Sequence, residues 1–167
     1  MEEYRVRITK DYLVFCAAHF IQFDNDKCEC LHGHNYRVAA ELWGPLGPSH
    51  LVYDFIVLKR MLRGLVDELD HHMLVPRSSP ALKVEERGSS IRIASCDKEW
   101  IFPREDCVLL PIENTTAERL AYWIACRLYQ EMKRAGLPPA QRMRIDVEET
   151  FGQSAVYETS YETPPTS

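Results

Sequence analysis

Three histidines have a spacing that suits a metal site. His32 and His34 stand two residues apart in a run of alternating side chains, and on a β-strand that spacing directs both imidazoles to one face of the sheet. Gly33 between them has no side chain, so the backbone can approach other groups closely. His19 ends an earlier strand-like run, and if the two strands pair, the three rings converge. Three neutral imidazoles with an open fourth position are typical of a catalytic zinc site.

Two other interpretations of these histidines stay open at this level. An isolated His-x-His pair is more often an ordinary polar pair near a strand end, because histidine has many packing and hydrogen-bonding roles. A closed structural zinc site that uses Cys28 or Cys30 with two histidines also fits the local spacing.

A carboxylate also falls on an apolar strand face near the C-terminus. Glu149 shares its face with Met143, Ile145 and Val147, whereas Glu148 falls on the other face. An inward-facing carboxylate needs hydrogen-bond partners, which a ligand with paired N–H groups could supply. The alternative is that the strand end is already exposed to water.

Two helices are predicted to support these strands. The first runs over about 54–71, with Asp54 as its N-cap and an apolar stripe at helical spacing. The second begins near Thr115 and ends before Gly136, where Pro138 and Pro139 follow. Thr115 and Glu118 fit a capping box at its start.

The remaining segments predict an antiparallel sheet. Alternation favours strands over 4–10, 13–20 and 32–43, and two more over 142–157 around a turn at 151–153. Residues of about 82–110 predict a short strand meander with turns at Gly88 and at Asp97-Lys98. The tail 163–167 is expected to fray. The chain is therefore expected to be one α+β domain over 1–167.

The composition excludes several classes of protein. A chain of 167 residues with 46% hydrophobic residues can bury a sizeable core. The formal charge of −5 argues against nucleic-acid binding, which normally needs a basic surface. No apolar run approaches the roughly twenty residues that cross a membrane, and the acidic N-terminus lacks a signal-peptide core. We therefore expect a cytoplasmic protein whose six cysteines are mostly reduced: Cys16, Cys28, Cys30, Cys96, Cys107 and Cys126.

Five motifs in this order resemble the 6-pyruvoyl-tetrahydropterin synthase family, which includes bacterial 6-carboxytetrahydropterin synthases. Together they span most of the chain, and the predicted meander exceeds the usual core of that family, so it is interpreted as an insertion. The motifs are FCAAH at 15–19, CECLHGHNY at 28–36, LDHHML at 69–74, TTAE at 115–118 and VEET at 147–150.

The resemblance implies a zinc-dependent lyase that acts on 7,8-dihydroneopterin triphosphate. The zinc ligands would be His19, His32 and His34, and the metal would act as a Lewis acid on the hydroxyls of the substrate's side chain. Cys28 lies four places before the first histidine of the His-Gly-His motif, where one branch of the family has its catalytic cysteine. The alternative for Cys28 is a loop thiol without a role, and Cys30 matches no family position.

The resemblance also implies an acid–base pair of Asp70 and His71. Direct neighbours on a helix do not face each other, so the helix must end there or the aspartate must reach back. The alternative is a helix C-terminus at which His71 and His72 interact favourably with the helix dipole, and His72 is expected to have that role only.

In this family a glutamate at the position of Glu149 anchors the pterin ring, whose N–H and amino groups suit a carboxylate. The turn that carries Thr116 and Glu118 borders the pterin pocket, so both are secondary candidates for substrate binding. A capping box alone would be sufficient reason for this motif.

Glu29 bears on which reaction is catalysed. Some relatives lack the cysteine and carry Glu-x-x-His-Gly-His instead, and these release 6-hydroxymethyl-7,8-dihydropterin for folate synthesis. With both Cys28 and Glu29, this chain resembles members that run both reactions; the other reaction yields 6-carboxytetrahydropterin, acetaldehyde and triphosphate on the path to queuosine. The alternatives for the protein are formation of 6-pyruvoyl-tetrahydropterin and a catalytically silent, zinc-stabilised paralogue. The alternative for Glu29 is a solvated loop residue with no role.

The family fold is the tunnelling fold, a four-stranded antiparallel sheet with two helices on one face. Its subunits usually form trimers that pair into hexamers, with active sites at subunit interfaces. The resemblance therefore implies a homo-oligomer, and neither nucleic acid nor a membrane is an expected partner.

Overall fold

The computed structural model describes residues 3–23, 27–95 and 98–161. Cys96, Asp97 of one predicted turn and the tail 163–167 lie outside these residues. The helices are α1 (Phe55–Leu69) and α2 (Ala117–Arg134), and the strands are β1 (Tyr4–His19), β2 (Gln22–Phe23), β3 (Lys27–Cys28), β4 (His32–Gly44), β5 (His72–Pro76), β6 (Lys83–Arg87), β7 (Ser90–Ala94), β8 (Glu99–Pro103), β9 (Cys107–Leu110), β10 (Arg142–Thr150) and β11 (Gln153–Ser160).

The main sheet has six strands in the order β11-β10-β4-β1-β5-β9. The first four are antiparallel, as expected, but β5 and β9 extend the sheet in parallel orientation. The prediction of a four-stranded sheet therefore missed two strands. Met73, Leu74 and Val75 of β5 are all buried, and such a short continuous apolar run lacks the alternation that indicates a strand.

The first two predicted strands are one strand, β1, with an irregular register between Thr9 and Val14. Before the irregularity, Val6 and Ile8 point into the core, and after it the inward residues are Leu13, Phe15, Ala17 and His19. Across the irregularity β1 has three more residues than β4, and because this number is odd, the inward positions change from even to odd numbers. This change of parity brings His19 to the core face.

Both helices contribute to one hydrophobic core against the sheet, as predicted. The side chain of Asp54 accepts a hydrogen bond from the Ile56 N–H at 2.6 Å and caps α1. The helix ends at Leu69 rather than near His71. The N-cap of α2 is Thr116, so the predicted capping box at Thr115 is wrong: the Thr115 hydroxyl instead donates to the Phe20 carbonyl at 2.9 Å.

The predicted meander is a separate three-stranded sheet of β6, β7 and β8, and Gly88 turns it with φ of 60°. The prediction also placed residues 107–110 in the meander, but β9 pairs with β5 in the main sheet. The meander, defined here as residues 83–103, packs on the main sheet through a second apolar cluster that includes Phe20, Ile91 and Ile93. Within the described residues, no helix is long and apolar enough to cross a membrane.

Candidate metal centre and adjoining pocket

The β1–β4 pairing places the three predicted histidines together. His19 lies opposite His32, and one ligand nitrogen from each of His19, His32 and His34 lies within 4.8 Å of the others. The Nε2 atoms of His19 and His32 are 3.2 Å apart. Two nitrogens bound tetrahedrally to zinc at 2.0–2.1 Å would lie about 3.3 Å apart. The donor set and its spacing therefore fit a zinc ion with an open fourth position.

Backbone carbonyls set the tautomers of two of these rings. His19 Nδ1 lies 2.9 Å from the Thr115 carbonyl, and His32 Nδ1 lies 2.8 Å from the Cys30 carbonyl. Because a carbonyl only accepts, each Nδ1 carries the proton and donates it, which leaves each Nε2 lone pair for a metal. Sequence reasoning did not identify these carbonyls, because a backbone group leaves no signal in residue type.

Burial favours the neutral form that a metal requires. His19 is fully buried, and this desolvation lowers its pKa, with His32 and His34 acting in the same direction. The hydrogen bond to Thr115 and the charge of Glu149 oppose the shift without reversing it. Among the described residues, neither Cys28 nor Cys30 joins the cluster, so the alternative of a structural site with cysteine ligands is not supported.

Glu149 lies against the metal centre, on the face predicted from its strand. Its Oε1 atom is 3.4 Å from His19 Nε2 and 3.7 Å from His34 Nε2. The Tyr36 hydroxyl donates to the same oxygen at 3.3 Å. Burial and the neighbouring Glu149 raise the pKa of Tyr36, so this hydroxyl keeps its proton. The sequence placed Tyr36 on the face of His32 and His34, a signal that could have marked it as a site residue.

A cavity of about 510 Å³ adjoins the metal centre, and all three predicted substrate-binding residues line it. Glu149 borders it from β10, and Thr116 and Glu118 border it from the start of α2. Gln22 and Asn114 also line it; the Asn114 side chain bridges the Gln22 backbone with bonds of 2.8 and 3.2 Å. A cavity of this size with both polar and apolar lining residues suits a small ligand that carries polar groups.

Cys28 and Glu29 are neighbours whose side chains have different partners. The Glu29 carboxylate lies 3.9 Å from His32 Nε2. The Cys28 thiol donates to the Ser95 hydroxyl at 3.2 Å and lies 3.8 Å from Gln22 Nε2. Glu29 therefore contacts the metal centre, whereas the thiol contacts the meander.

Asp70 and His71 form a pair because the helix ends before them. His71 has a φ of 60°, and its Nδ1 lies 3.0 Å from the Asp70 carboxylate. Burial raises the pKa of Asp70, but the hydrogen bond from the Cys16 N–H, the contact with His71 and the charge of Arg63 outweigh it, so the pKa is lowered overall. Asp70 thus holds a negative charge beside the imidazole.

The structure does not join this pair to the histidine cluster. The His71 side chain is 81% exposed, and in the described part of the chain no hydrogen bond or ion pair links it to Cys28 or to the three histidines. His72 was expected only to interact with the helix dipole, but it begins β5 opposite Ala17 and is half-buried.

A three-histidine centre beside a cavity with polar and apolar walls, on a mainly antiparallel sheet backed by two helices, has the form of a metalloenzyme site for a small molecule. The sequence pattern of the family described as 6-pyruvoyl tetrahydropterin synthase matches residues 7–160. The chain belongs to this family.

Individual relatives agree with that assignment. A Methanocaldococcus jannaschii protein classed provisionally as 6-carboxy-5,6,7,8-tetrahydropterin synthase is 34% identical over 87% of this chain and 89% of its own. The Aquifex aeolicus 6-carboxy-5,6,7,8-tetrahydropterin synthase is 32% identical over 67% and 63%. The crystal structure of Plasmodium vivax 6-pyruvoyl tetrahydropterin synthase matches with a TM-score of 0.89 and 30% identity over 96% and 100%. Two further structures of that protein carry alanine or cysteine in place of a catalytic glutamate.

Gly33 offers a test of the metal centre. A Cβ atom there would lie 3.0 Å from the Ala17 carbonyl oxygen, so in Gly33→Ala the paired strands must shift by a few tenths of an ångström beside His32 and His34. This displacement should lower zinc affinity by about 10–100-fold, as loss of support around a metal does. Competition with a chromophoric chelator measures this affinity. The matched control is Gly64→Ala in α1, where a Cβ meets nothing within 4 Å; it should leave zinc affinity unchanged and stabilise the fold by about 1 kcal/mol. Equal zinc affinity in both variants would contradict the arrangement described.

Asp70 should make stability depend on pH. Because its folded-state pKa is depressed, its charge stabilises the fold above the ordinary aspartate pKa of about 4 and loses this effect as the pH falls through the lower folded-state value. Asp70→Asn should therefore destabilise the protein near neutral pH, and the difference from the wild type should shrink in acid. Urea unfolding from pH 7 downward measures it. The control is Asp67→Asn, at an exposed ion pair with Arg63, which should change the free energy of unfolding little at any pH tested. If the destabilisation by Asp70→Asn did not depend on pH, the negative charge of Asp70 would not be its cause.

Proposed function

We propose that this protein is a zinc-dependent synthase that acts on 7,8-dihydroneopterin triphosphate. The proposed main reaction consumes one water and forms 6-carboxytetrahydropterin, acetaldehyde and triphosphate, and its pterin product would supply the synthesis of 7-deazaguanine nucleosides such as queuosine. The observation that carries the proposal is the three-histidine centre with Glu149 on its pocket side and Glu29 beside His32. The names of the archaeal and Aquifex relatives support this product.

Each group near the centre has a chemical role in this proposal. Zinc on His19, His32 and His34 would supply Lewis acidity at the hydroxyls of the substrate's side chain. The Glu149 carboxylate would accept hydrogen bonds from the pterin N–H and amino groups, and the Tyr36 hydroxyl holds that carboxylate in place. Thr116 and Glu118 would border the bound ring from α2. The cavity would thus present the reacting side chain to the metal.

A second reaction, release of 6-hydroxymethyl-7,8-dihydropterin, is favoured by the position of Glu29. Its carboxylate lies 3.9 Å from a candidate zinc ligand, where it would act as a general base on a substrate bound to the metal. The catalytic glutamate of the Plasmodium vivax protein supports this role by analogy. Cys28 would serve the first reaction only after its thiol left Ser95. We therefore propose that Glu29 and Cys28 serve different products.

Product analysis with single variants tests this division. The purified, zinc-loaded protein is incubated with 7,8-dihydroneopterin triphosphate, and products are identified by mass. Cys28→Ala should lower the rate of 6-carboxytetrahydropterin formation, and Glu29→Ala should lower the rate at which the hydroxymethyl product forms. Each rate should fall by about 10²–10⁴-fold, as expected for the loss of a proton-transfer group. Cys30→Ala, at an exposed thiol, is the matched control. Formation of 6-pyruvoyl-tetrahydropterin would favour that activity instead, and no turnover by the folded, zinc-loaded protein would favour a silent paralogue.

We also propose that the Asp70–His71 pair acts in the site of a neighbouring subunit of a homo-oligomer, a hexamer built as a dimer of trimers. The pair lies outside the contacts of its own metal centre, and the His71 side chain is 81% exposed. Phe151, at the turn between β10 and β11, is 93% exposed, which is unusual for a large apolar side chain unless another surface covers it.

Complementation between inactive subunits tests the shared site. His71→Ala and Glu29→Ala proteins should each lose the hydroxymethyl reaction, but random subunit exchange should restore about a quarter of the sites, since each restored site takes one intact residue from each variant. Activity is measured after mixed refolding, and native mass spectrometry confirms the hybrids. Hybrids without any recovered activity would place His71 outside the neighbouring site.

A further inference from the structure

The meander contacts the loop that carries the candidate catalytic residues. Lys98, just before β8, directs its ammonium group to two backbone carbonyls: Nζ donates to the Cys28 carbonyl at 2.8 Å and to the Glu29 carbonyl at 3.3 Å. Hydrogen bonds from a charged donor are roughly twice as strong as neutral ones, and this Lys98 side chain is partly withdrawn from water. One side chain thus holds the backbone of both residues.

Apart from Lys98 and the bond of the Cys28 thiol to Ser95, the described attachments of the loop are to residues close to it in sequence. Residues 27–31 are tied to the preceding segment by the two-residue pairing of β2 with β3 and by the Glu29 N–H, which donates to the Ile21 carbonyl at 2.9 Å. Cys30 and Leu31 are exposed. A short segment with little buried surface opens readily unless further bonds hold it. Lys98 supplies such bonds from outside the segment.

The base from which Lys98 reaches is firmly packed. Trp100, two residues along, stacks on Phe20 with ring centroids 4.4 Å apart, and Ile91 and Ile93 of the neighbouring strand are fully buried. The Ser95 N–H donates to the Lys98 carbonyl at 2.9 Å. The Lys98 side chain therefore extends from the well-packed end of a strand.

The loop is also linked to the metal centre. The Cys30 carbonyl accepts the His32 Nδ1 proton, and the Glu29 carboxylate faces His32 Nε2. A shift of this backbone would move the carboxylate and turn the ligand ring. Displacements of about 1 Å at a reacting group can lower a rate by about 100-fold.

We propose that Lys98 is a positioning residue, which fixes the loop of Cys28 and Glu29 against the metal centre and gives the meander a function in catalysis. The catalytic part of this inference rests on the proposed synthase activity. The structural part, that Lys98 immobilises the loop, is independent of any activity. The hydrogen bonds that Lys98 makes to the described loop residues go to backbone carbonyls, so it acts through the placement of Cys28 and Glu29.

The test combines hydrogen exchange with kinetics on the zinc-loaded protein. Lys98→Met keeps much of the side-chain length without a donor, Lys98→Gln keeps a neutral donor, and Lys98→Arg keeps the charge. The matched control is Lys83→Met. Lys83 is an exposed lysine of the meander and forms an ion pair with Glu85. Urea unfolding establishes that each variant is folded.

In the Lys98→Met protein, the amide hydrogen of Glu29 should exchange with solvent at least about 10-fold faster than in the wild type, because that N–H is protected only while the loop stays closed. With 7,8-dihydroneopterin triphosphate, kcat should fall by about 10–100-fold while KM changes by less than about threefold, since the loop does not line the cavity. Lys98→Gln should be intermediate, Lys98→Arg should recover most of both properties, and Lys83→Met should match the wild type.

Unchanged exchange at Glu29 in folded Lys98→Met and Lys98→Gln proteins would overturn the inference. Faster exchange accompanied by an unchanged kcat would overturn the catalytic part, because catalysis would then not depend on how the loop is held. An inactive wild-type protein would refute the proposed synthase activity instead, and the exchange rates would still decide whether Lys98 holds the loop.

Discussion

The site depends on the register between β1 and β4. His19 lies opposite His32, and a shift of one residue in either strand would turn its side chains to the other face of the sheet. The irregularity between Thr9 and Val14 displaces the register by three residues, an odd number, so the inward positions of β1 agree with those of β4 both at its start and at its end. Hydrophobic burial along the strand therefore selects the register that assembles the metal centre.

Around that register, a buried histidine is paired on one side and poised for a cation on the other. His19 is fully buried; its Nδ1 donates to the Thr115 carbonyl, whereas its Nε2 lone pair faces His32 Nε2 and the Glu149 carboxylate, an arrangement of acceptors that a bound cation would satisfy. An unpaired polar group at this depth would destabilise the fold by about 1–3 kcal/mol. Glu149 both faces the histidines and lines the cavity, so one carboxylate joins the metal centre to the pocket.

Much of the fold and the site followed from alternation, spacing and motif. The period of two put His32, His34 and Tyr36 on one face, and the helical stripe and Asp54 located α1. Strands β5 and β9 were missed, because short buried runs have no alternation. Helix ends were off by one or two residues, since caps depend on local backbone geometry: His71 adopts a positive φ that lets it face Asp70.

The sequence by itself determined which residues can bind a metal, which strand faces they occupy and which family the motifs resemble, because these properties depend on residue type and on the period of a strand. Only the tertiary structure decided that Glu29 faces His32 while Cys28 faces Ser95, and that Lys98 reaches the loop carrying both. These contacts join segments about seventy residues apart or lie in an irregular loop. No local pattern encodes the direction of a side chain there; the packing of the meander on the main sheet sets it.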